Sequence, residues 1–524
     1  MNDPCLRDDI LRKVWQACRS FRGAIDPTQG RDYILTLLFV KYLNDIYEFI
    51  RDACEKKYNG DPVRIERALG RERFIVPRIE IRDQNDKLKE AFPATYRSLY
   101  DRRTRPNIGE LVNMLLARIE DANKVKLHNV FRNIDFNSEA KLGPTLRRNT
   151  RLKNLLEALG GLDLSPESAD SMDVVGDLFE GLIEKFAATT DKKSGDFYTP
   201  AAVSETLARL AAPRPGDRIS DPACGSGSLL IRAGKQVGSD DYALYGQELI
   251  GDTWTLCKMN MFLHGLDAAR IEWGDSLRHP QFVDESGNLM KFDIVISNPP
   301  FGLDKWGQEI AAGDRFGRFQ RGIPPKSKGD WAFISHMLAI AAEGSGRVGV
   351  VAPHGVLFRG GQEGRIREAA IRENLLDAVI GLPANLFFGT PIPAVLLIFD
   401  KSRPDRGEGG VLFIDASREF EQGARRNHLR PRDIEKIVTT CHNRRILEGY
   451  SRLVSSRELR ENGFDLNMPR YVDTFESGPE IDIPAVQEEI GAIEKELAGI
   501  RKKMKDGLKA LGAAGKSGVS CRIG

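Results

Sequence analysis

The chain has 524 residues, 41% of them hydrophobic, and its 77 Lys and Arg against 75 Asp and Glu leave a formal net charge of +2. This length predicts two or three domains, and the near-neutral total leaves any nucleic-acid binding to a local basic face. The seven cysteines form no CxxC pair, no apolar run approaches the roughly 18 residues of a membrane helix, and the N-terminus lacks an apolar signal core. We therefore expect a cytoplasmic protein with reduced thiols, no membrane segment and no bound metal.

The first 165 residues are predicted to form a helical domain. Apolar residues recur at helical spacing, as from Ile34 to Leu43 and again from Leu111 to Ile119. No catalytic motif is recognisable in this region. We expect the domain to serve in docking or in contact with DNA.

Between residues 166 and 473 short apolar runs alternate with helical stretches, which predicts an α/β domain with a parallel, doubly wound sheet. Ligands of such sheets bind at the carboxyl ends of the strands. The strand candidates are residues 218–220, 242–245, 292–297, 348–352, 378–381 and 394–399.

Residues 474–524 are predicted to form a linker (residues 476–484), one helix, and a disordered tail from Gly512. The helix would carry apolar residues at steps of four and three, with Glu and Lys around them. Such a stripe favours docking on a partner protein, and folding back on the same chain is the alternative. The stripe consists of Val486, Ile490, Ile493, Leu497, Ile500, Met504, Leu508 and Leu511.

A glycine-rich segment, Asp-Pro-Ala-Cys-Gly-Ser-Gly, runs from Asp221 to Gly227 between a predicted strand and a predicted helix. Its glycines allow the backbone to approach a ligand closely at a helix N-terminus. A dinucleotide fingerprint would need another glycine three positions after Gly227, where Leu230 stands, so a nicotinamide enzyme is disfavoured. A plain strand-to-helix turn is the simpler alternative.

Two acidic residues follow at the ends of later units. Glu248 ends the next predicted strand, where a carboxylate can accept both hydrogens of a ribose diol. Asp275 ends the following unit, and its carboxylate could accept from an adenine amine. A solvated side chain is the alternative for each.

The segment Asn298-Pro-Pro-Phe301 directly follows the predicted strand 292–297 and is the most specific signal in the chain. Pro299 and Pro300 stiffen the backbone just past the strand end. The Asn298 side-chain oxygen and the Pro299 carbonyl can then face one planar amino group, and Phe301 can stack on its ring. Two acceptors on the hydrogens of an exocyclic amine favour a pyramidal nitrogen aimed at an electrophilic methyl group.

Upstream, Thr199 is predicted to cap a helix that begins at Pro200, in the segment Gly-Asp-Phe-Tyr-Thr-Pro. Phe197 and Tyr198 in the same segment would flank a ligand or belong to the core. Downstream of Phe301, residues 313–330 mix Arg and Lys with Phe, which is typical of a DNA-facing loop or of a solvated one.

Together these motifs resemble the amino-methyltransferases of DNA, in the subgroup whose cofactor motifs precede the catalytic one. Three further segments make nearly the whole chain resemble the modification subunit of Type I restriction–modification systems. They are Arg-Gly-Ala-Ile-Asp-Pro from Arg22, Leu-Leu-Phe-Val-Lys-Tyr from Leu37, and Phe-Asp-Leu-Asn-Met-Pro-Arg-Tyr from Phe464.

The resemblance implies a Rossmann-like, S-adenosylmethionine-dependent methyltransferase domain between a helical N-terminal domain and a C-terminal helical extension. It also implies double-stranded DNA as substrate, with the target adenine flipped out of the helix. Two such subunits would assemble with one specificity subunit, to which a restriction subunit can be added. The catalytic loop maps onto Asn298, Pro299, Pro300 and Phe301. The cofactor contacts map onto Asp196, Phe197, Tyr198, Thr199, Pro200, Asp221, Ala223, Gly225, Ser226, Gly227, Ser228, Glu248 and Asp275.

Three alternatives remain open at this point. A protein glutamine methyltransferase also carries an Asn-Pro-Pro motif but lacks these flanking segments. An N4-cytosine methyltransferase is disfavoured by Asn298 at the first position of the motif. A non-catalytic DNA-binding scaffold would not need Asn298, Glu248 and the glycine loop together. The DNA recognition sequence would be read by the partner.

Overall fold

The protein is described by a computed structural model covering residues 12, 14–15, 27–166, 172–188, 198–388, 390–403, 409–424, 426–473 and 483–510. The chain divides into two compact units, Met1–Asp473 and Thr474–Gly524. Within the described ranges, no helix is both long and apolar enough to cross a bilayer.

The N-terminal part of the first unit is helical, as predicted, but it also contains a β-hairpin that the periodicity did not indicate. Asp83 shapes the turn of this hairpin, because its Oδ1 accepts from the backbone amides of Asn85 and Lys87. The helices are α1 (Pro27–Lys57), α2 (Pro62–Leu69), α3 (Tyr96–Asp101), α4 (Ile108–Ala122), α5 (Lys124–Leu127), α6 (Glu139–Leu142), α7 (Thr145–Gly160) and α8 (Met172–Ala187), and the hairpin strands are β1 (Arg78–Arg82) and β2 (Leu88–Pro93).

Helix α1 is buried nearly all round between Tyr33 and Leu43, which is why its sequence is so uniformly apolar there. Part of this helical core extends onto the sheet region. The Phe39 ring packs edge-on against Phe262, with centroids 5.4 Å apart. Lys126 Nζ lies 3.0 Å from Asp267 Oδ2. The helical region and the sheet region therefore share one packed interface.

The rest of the first unit is built around a nine-stranded sheet. Its strands are β3 (Arg218–Asp221), β4 (Ala243–Glu248), β5 (Arg270–Trp273), β6 (Ile294–Ser297), β7 (Arg347–Pro353), β8 (Leu376–Gly381), β9 (Ala394–Asp400), β10 (Val411–Asp415) and β13 (Ser451–Val454), with a separate small hairpin of β11 (Glu421–Gln422) and β12 (Asn427–His428). The helices are α9 (Ala201–Ala211), α10 (Ser228–Val237), α11 (Gly251–Leu263), α12 (Gln308–Ala311), α13 (Asp330–Ile340), α14 (Gly355–Phe358), α15 (Gly361–Arg372), α16 (Pro431–His442) and α17 (Ser456–Glu461). A 3₁₀ turn follows at Met468–Arg470.

The strand order is β13-β10-β8-β9-β7-β6-β3-β4-β5, with apolar side chains buried on both faces. The sheet is mixed and not wholly parallel as predicted, because β9 is antiparallel to β7 and β8, and β13 is antiparallel to β10. The described residues of the connection from β8 to β9, 382–388 and 390–393, contain no helix. The connection therefore cannot form the usual helical crossover, and the chain returns in the opposite direction.

Strand β3 lies between β4 and β6, and the chain changes direction across the sheet at this point. From β3 it proceeds through β4 to the edge strand β5, and it then returns to β6 on the other side of β3. All of these strands are parallel. Such a switch point leaves a crevice at the carboxyl ends of the two central strands, which are Asp221 and Ser297 here.

The second unit is described as one helix, α18 (Ile483–Ala510), at the position predicted. It is about 42 Å long at 1.5 Å per residue. Seven of the eight residues of the predicted stripe, from Val486 to Leu508, are exposed. Leu511, the tail from Gly512 and the linker residues 476–482 lie outside the described residues.

Candidate active site

The glycine-rich segment connects the end of β3 to the start of α10, as predicted. Gly225 and Gly227 have φ values of +55° and +81°, a region that favours glycine. A Cβ at Gly227 would lie 2.6 Å from Met261 Cε and 2.8 Å from Cys257 Sγ. The missing side chain at Gly227 therefore allows the loop to pack on α11, whereas we expected it to leave space for a ligand.

Glu248 lies at the end of β4 and holds the glycine loop directly. Its Oε2 accepts from the Gly225 amide at 3.0 Å, and its Oε1 accepts from the Ile250 amide at 2.8 Å. Burial raises the pKa of this carboxyl. Each carboxylate oxygen keeps a second lone pair, so the side chain can accept from two ligand hydroxyls while it orders the loop.

Asp221 connects the glycine loop to the next strand. Its Oδ1 accepts from the Ala223 amide at 2.9 Å and from Ser297 Oγ at 2.7 Å. Burial raises the pKa of Asp221 to about 7. Ser297 is the last residue of β6, and sequence reasoning missed it although it directly precedes Asn298. The pair therefore connects the two loops that carry the predicted motifs.

Asn298 directly follows β6, and only the nitrogen of its side-chain amide forms a hydrogen bond with a described residue. Its Nδ2 donates to Thr199 Oγ1 at 2.9 Å. Its Oδ1 is buried and has no hydrogen-bond partner among the described residues. A buried amide oxygen without a partner is costly, and it indicates a position where a ligand donates.

The rest of the Asn-Pro-Pro-Phe segment is fixed by its own rigidity and by an aromatic contact. Pro299 is buried, whereas Pro300 and Phe301 are half-buried. The Phe301 ring meets the buried Phe387 nearly edge-on, at a centroid distance of 5.9 Å. Phe387 belongs to the β8–β9 connection, where it stands between Leu386 and Phe388, and no motif in the sequence marked it.

Thr199 has a different role from the one predicted. Helix α9 begins at Ala201, Pro200 occupies the cap position, and no side chain caps the helix. The Thr199 hydroxyl instead accepts from Asn298. Tyr198 is buried and donates to Glu184 Oε2 at 3.3 Å. Asp196 and Phe197 of the same motif lie outside the described residues.

Three further predicted residues, Asp275, Ser226 and Ser228, form hydrogen bonds within their own loops. Asp275 Oδ1 accepts from the Leu277 and Arg278 amides, so this carboxylate oxygen organises its own turn. The hydroxyls of Ser226 and Ser228 lie 2.9 Å apart and are buried. The side chain of Asp275 is 24% exposed, and its second oxygen, Oδ2, lies 3.5 Å from Arg278 Nε.

Exposed apolar side chains flank Glu248, and sequence reasoning missed them. Leu249, Ile250 and Trp273 are 57%, 41% and 47% exposed. The indole nitrogen of Trp273 donates to the Leu249 carbonyl at 2.9 Å. An apolar surface beside a carboxylate that can accept from hydroxyls suits a nucleoside, whose base is flat and apolar on its faces.

Part of the segment 313–330 is built into the fold, whereas Arg315 and Lys326 are exposed. The Arg318 side chain is 2% exposed and pairs with Asp314. It also donates to the Ser276 carbonyl at 3.2 Å. Arg321 pairs with Glu373 on the surface. Arg318 therefore holds the fold together and is not available to a phosphate.

One group of potential metal ligands occurs among the described residues, beside Ser228 at the start of α10. It comprises Asp177, Glu180 and His264. Glu180 pairs with Arg232 and Asp177 with Lys235. These cations balance the two carboxylates, and we assign the cluster no metal.

Comparisons with known proteins match both parts of the first unit. Residues 170–479 match the family N-6 DNA Methylase, and residues 10–159 match the HsdM N-terminal domain. The first match alone covers more than half of the chain and contains the described strands of the nine-stranded sheet.

Named relatives match over nearly the full length. The methylase subunit of the type I restriction enzyme MpnII of Mycoplasma pneumoniae is 30% identical over 95% of this chain and 96% of its own. The MjaVIII methylase subunit of Methanocaldococcus jannaschii is 31% identical over 94% of this chain and 82% of its own. The crystal structure of a type I restriction-modification methyltransferase subunit from Streptococcus thermophilus is similar with a TM-score of 0.77 and 31% identity, covering 89% of this chain and all of that one.

These matches confirm the predicted family, the fold class and the use of S-adenosylmethionine, and they favour adenine N6 over the alternatives that the motifs left open. The chain therefore belongs to the N-6 DNA methylases, as a modification subunit of a type I restriction–modification system that methylates adenine in DNA.

Proposed function

We propose that Asn298, Pro299, Pro300 and Phe301 form the catalytic loop and that the methyl donor binds across the crevice between β3 and β6. The observation that carries this proposal is the buried Asn298 Oδ1 without a partner at the end of β6. The cofactor residues are those of the predicted set: Asp196 to Pro200, Asp221, Ala223, Gly225, Ser226, Gly227, Ser228, Glu248 and Asp275.

Side chains of this protein suit the ribose and the base of such a cofactor. Glu248 accepts from the ribose hydroxyls, and Leu249 and Ile250 offer an apolar surface to the base of the cofactor. The glycine loop brings backbone amides close to the ligand at the start of α10. When bound, S-adenosylmethionine supplies the electrophilic methyl group.

The catalytic loop would act by positioning and by hydrogen bonding. Asn298 Oδ1 and the Pro299 carbonyl accept the two hydrogens of the target amine, which concentrates its lone pair on nitrogen. Thr199 fixes which way the Asn298 amide faces, because it accepts from Nδ2 and leaves the oxygen for the substrate. Phe301 stacks on the base. The alkylated nitrogen becomes acidic, so no general base is needed before attack.

We further propose that the target adenine leaves the duplex stack, since its amine cannot otherwise reach the loop. Two copies of this chain would assemble with one specificity subunit, and a restriction subunit can join them. A helical domain (residues 1–165), a methyltransferase domain (166–473) and a docking extension (474–524) would divide these tasks. With DNA as the substrate, we propose that the complex acts in the cytoplasm.

The test compares Asn298→Ala with the exposed turn variant Asn85→Ala. Cofactor affinity is measured by calorimetry, and N6-methyladenine formation is measured on unmethylated host DNA with the accompanying subunits present. We expect Asn298→Ala to bind the cofactor within about twofold of the unaltered chain and to lose at least about 100-fold in turnover, as removing a preorganised catalytic hydrogen bond does. Near-normal turnover of Asn298→Ala would refute the catalytic loop.

A further inference from the structure

The catalytic loop has few places where its backbone can be held. Pro299 and Pro300 have no N–H, so neither can donate a hydrogen bond to the surrounding protein. The first residue beyond the aromatic ring is Gly302, whose φ of +59° marks a sharp turn. Its amide belongs to the peptide unit that directly follows Phe301.

That amide is bound by a buried carboxylate. The Gly302 amide donates to Asp330 Oδ1 at 2.7 Å. The Asp330 side chain is 3% exposed, and Asp330 is the first residue of α13, a helix that is buried along almost its whole length. The loop is therefore tied to a rigid element of the core, 28 residues further along the chain.

The second oxygen of Asp330 is held by an arginine that serves two carboxylates. Arg359 Nη1 lies 2.9 Å from Asp330 Oδ2 and 3.3 Å from Glu363 Oε1. The Glu363 side chain is 4% exposed. A Cβ at Gly355 would overlap the Arg359 guanidinium, so the glycine leaves the space that this side chain occupies.

We propose that Asp330 and Arg359 are positioning residues for methyl transfer, which set the plane of the Phe301–Gly302 peptide and thereby the direction of the Phe301 ring and the Pro299 carbonyl. Pro299 and Pro300 are rigid, so a rotation of the backbone at Gly302 also moves the preceding residues of the loop, which carry the atoms that face the target amine. A misplacement of about 1 Å can cost about 100-fold in rate. The proposal rests on the catalytic loop assigned above.

The charges of Asp330, Arg359 and Glu363 allow a positioning role to be distinguished from simple support of the fold. Loss of Arg359 removes the cation that Asp330 and Glu363 share and leaves their buried carboxylates to repel each other, although Arg367 still attracts Glu363. Removing the charge of Glu363 as well should relieve that repulsion and allow Asp330 to keep its bond to Gly302. An anchor held in place by charge is therefore rescued by a second substitution, whereas a lost packing contact is not.

The experiment measures kcat and KM for unmethylated DNA, with cofactor affinity by calorimetry, for the full chain in its complex. The variants are Asp330→Ala, Asp330→Asn, Arg359→Gln and the double variant Arg359→Gln with Glu363→Gln. Arg457→Gln, which breaks an exposed pair with Glu461, is the control. We expect Asp330→Ala to lose about 10- to 100-fold in kcat, the value of a hydrogen bond to a charged group. Asp330→Asn keeps one oxygen for Gly302 but turns an NH₂ group towards Arg359, and we expect a loss no larger than that of Asp330→Ala.

We expect cofactor affinity to stay within about twofold in every variant that keeps the fold. The double variant should recover at least about half of the kcat that Arg359→Gln loses, and such recovery requires a folded protein. Unchanged kcat in Asp330→Ala, with Asn298→Ala inactive in the same assay, would overturn this proposal alone. Near-normal turnover of Asn298→Ala would instead overturn the catalytic loop. A double variant no better than Arg359→Gln would also overturn the positioning role.

Discussion

Ser297 donates from its Oγ to Asp221 Oδ1 across 2.7 Å, between two residues that are 76 positions apart in the chain. Each is the last residue of its strand, and the two strands are neighbours in the sheet. The residue after Ser297 is Asn298, and the glycine loop follows Asp221. One buried hydrogen bond therefore links the loop proposed to bind the methyl donor to the loop proposed to bind the target amine.

The ionisation of Asp221 should make stability depend on pH. Burial raises its pKa from 3.8 to about 7, so the folded chain binds this proton more tightly than the unfolded chain. Its contribution to the free energy of unfolding is therefore full below about pH 4 and falls as the pH rises to about 7, by an amount on the order of 4 kcal/mol. Asp221→Asn should lack this fall. Urea unfolding at several pH values checks it, with the exposed Asp86→Asn as control, and parallel curves for Asp221→Asn and the unaltered chain would contradict it.

Substituting Glu248 should weaken cofactor binding. In Glu248→Gln one oxygen becomes an NH₂ group, which cannot accept from a backbone amide or from a ribose hydroxyl. We expect the affinity to fall about 10- to 100-fold, because each lost hydrogen bond involved a charged acceptor. Calorimetric titration with S-adenosylmethionine measures this effect, and the exposed variant Glu285→Gln should bind normally. Equal affinity of both variants would place the cofactor elsewhere.

Gly227→Ala should reduce stability more than its backbone angle alone explains. The new Cβ would meet Met261 and Cys257, whereas a Cβ at Gly238, where φ is +74°, would meet nothing within 4 Å. Gly238→Ala therefore measures the cost of the backbone conformation, about 1 kcal/mol. Gly227→Ala should lose a further 1–3 kcal/mol or so from overpacking. Equal losses in unfolding free energy would show that the loop can move away from α11.

Removal of residues 484–524 should weaken assembly with a specificity subunit and leave cofactor binding unchanged. The reason is the exposed stripe of α18, which would need burial against a partner. The paired substitutions Ile493→Asp and Ile500→Asp should act like the truncation, whereas Glu494→Gln on the polar side should not. Co-purification with the specificity subunit, beside a cofactor titration, checks this. Complete assembly of the truncated chain would exclude the docking role.

The strands that carry the site were predictable because each is a short apolar run that ends in a polar motif. Strands β5, β10 and β13 were not among the predicted strands. Arg-Ile-Glu-Trp and Ser-Arg-Leu-Val contain few buried residues, whereas β10 is a buried apolar run that the sequence analysis missed. The direction of β9 was equally hidden, because its apolar run is the same in either orientation. Within the site, the contact of Thr199 with Asn298 joins residues 99 positions apart, and local capping rules favoured a different role for the hydroxyl.

The position of β9 between β7 and β8 has a consequence for synthesis on the ribosome. Both sheet neighbours of β8 follow it in the chain, and β7 acquires its second neighbour only when residues 394–400 emerge. Until then the nascent chain carries one apolar strand with a free edge and another with no partner. Such edges pair readily with other chains. A product that terminates between residues 381 and 394 should therefore aggregate, and Ala394–Asp400 is the segment that joins β8 to β7.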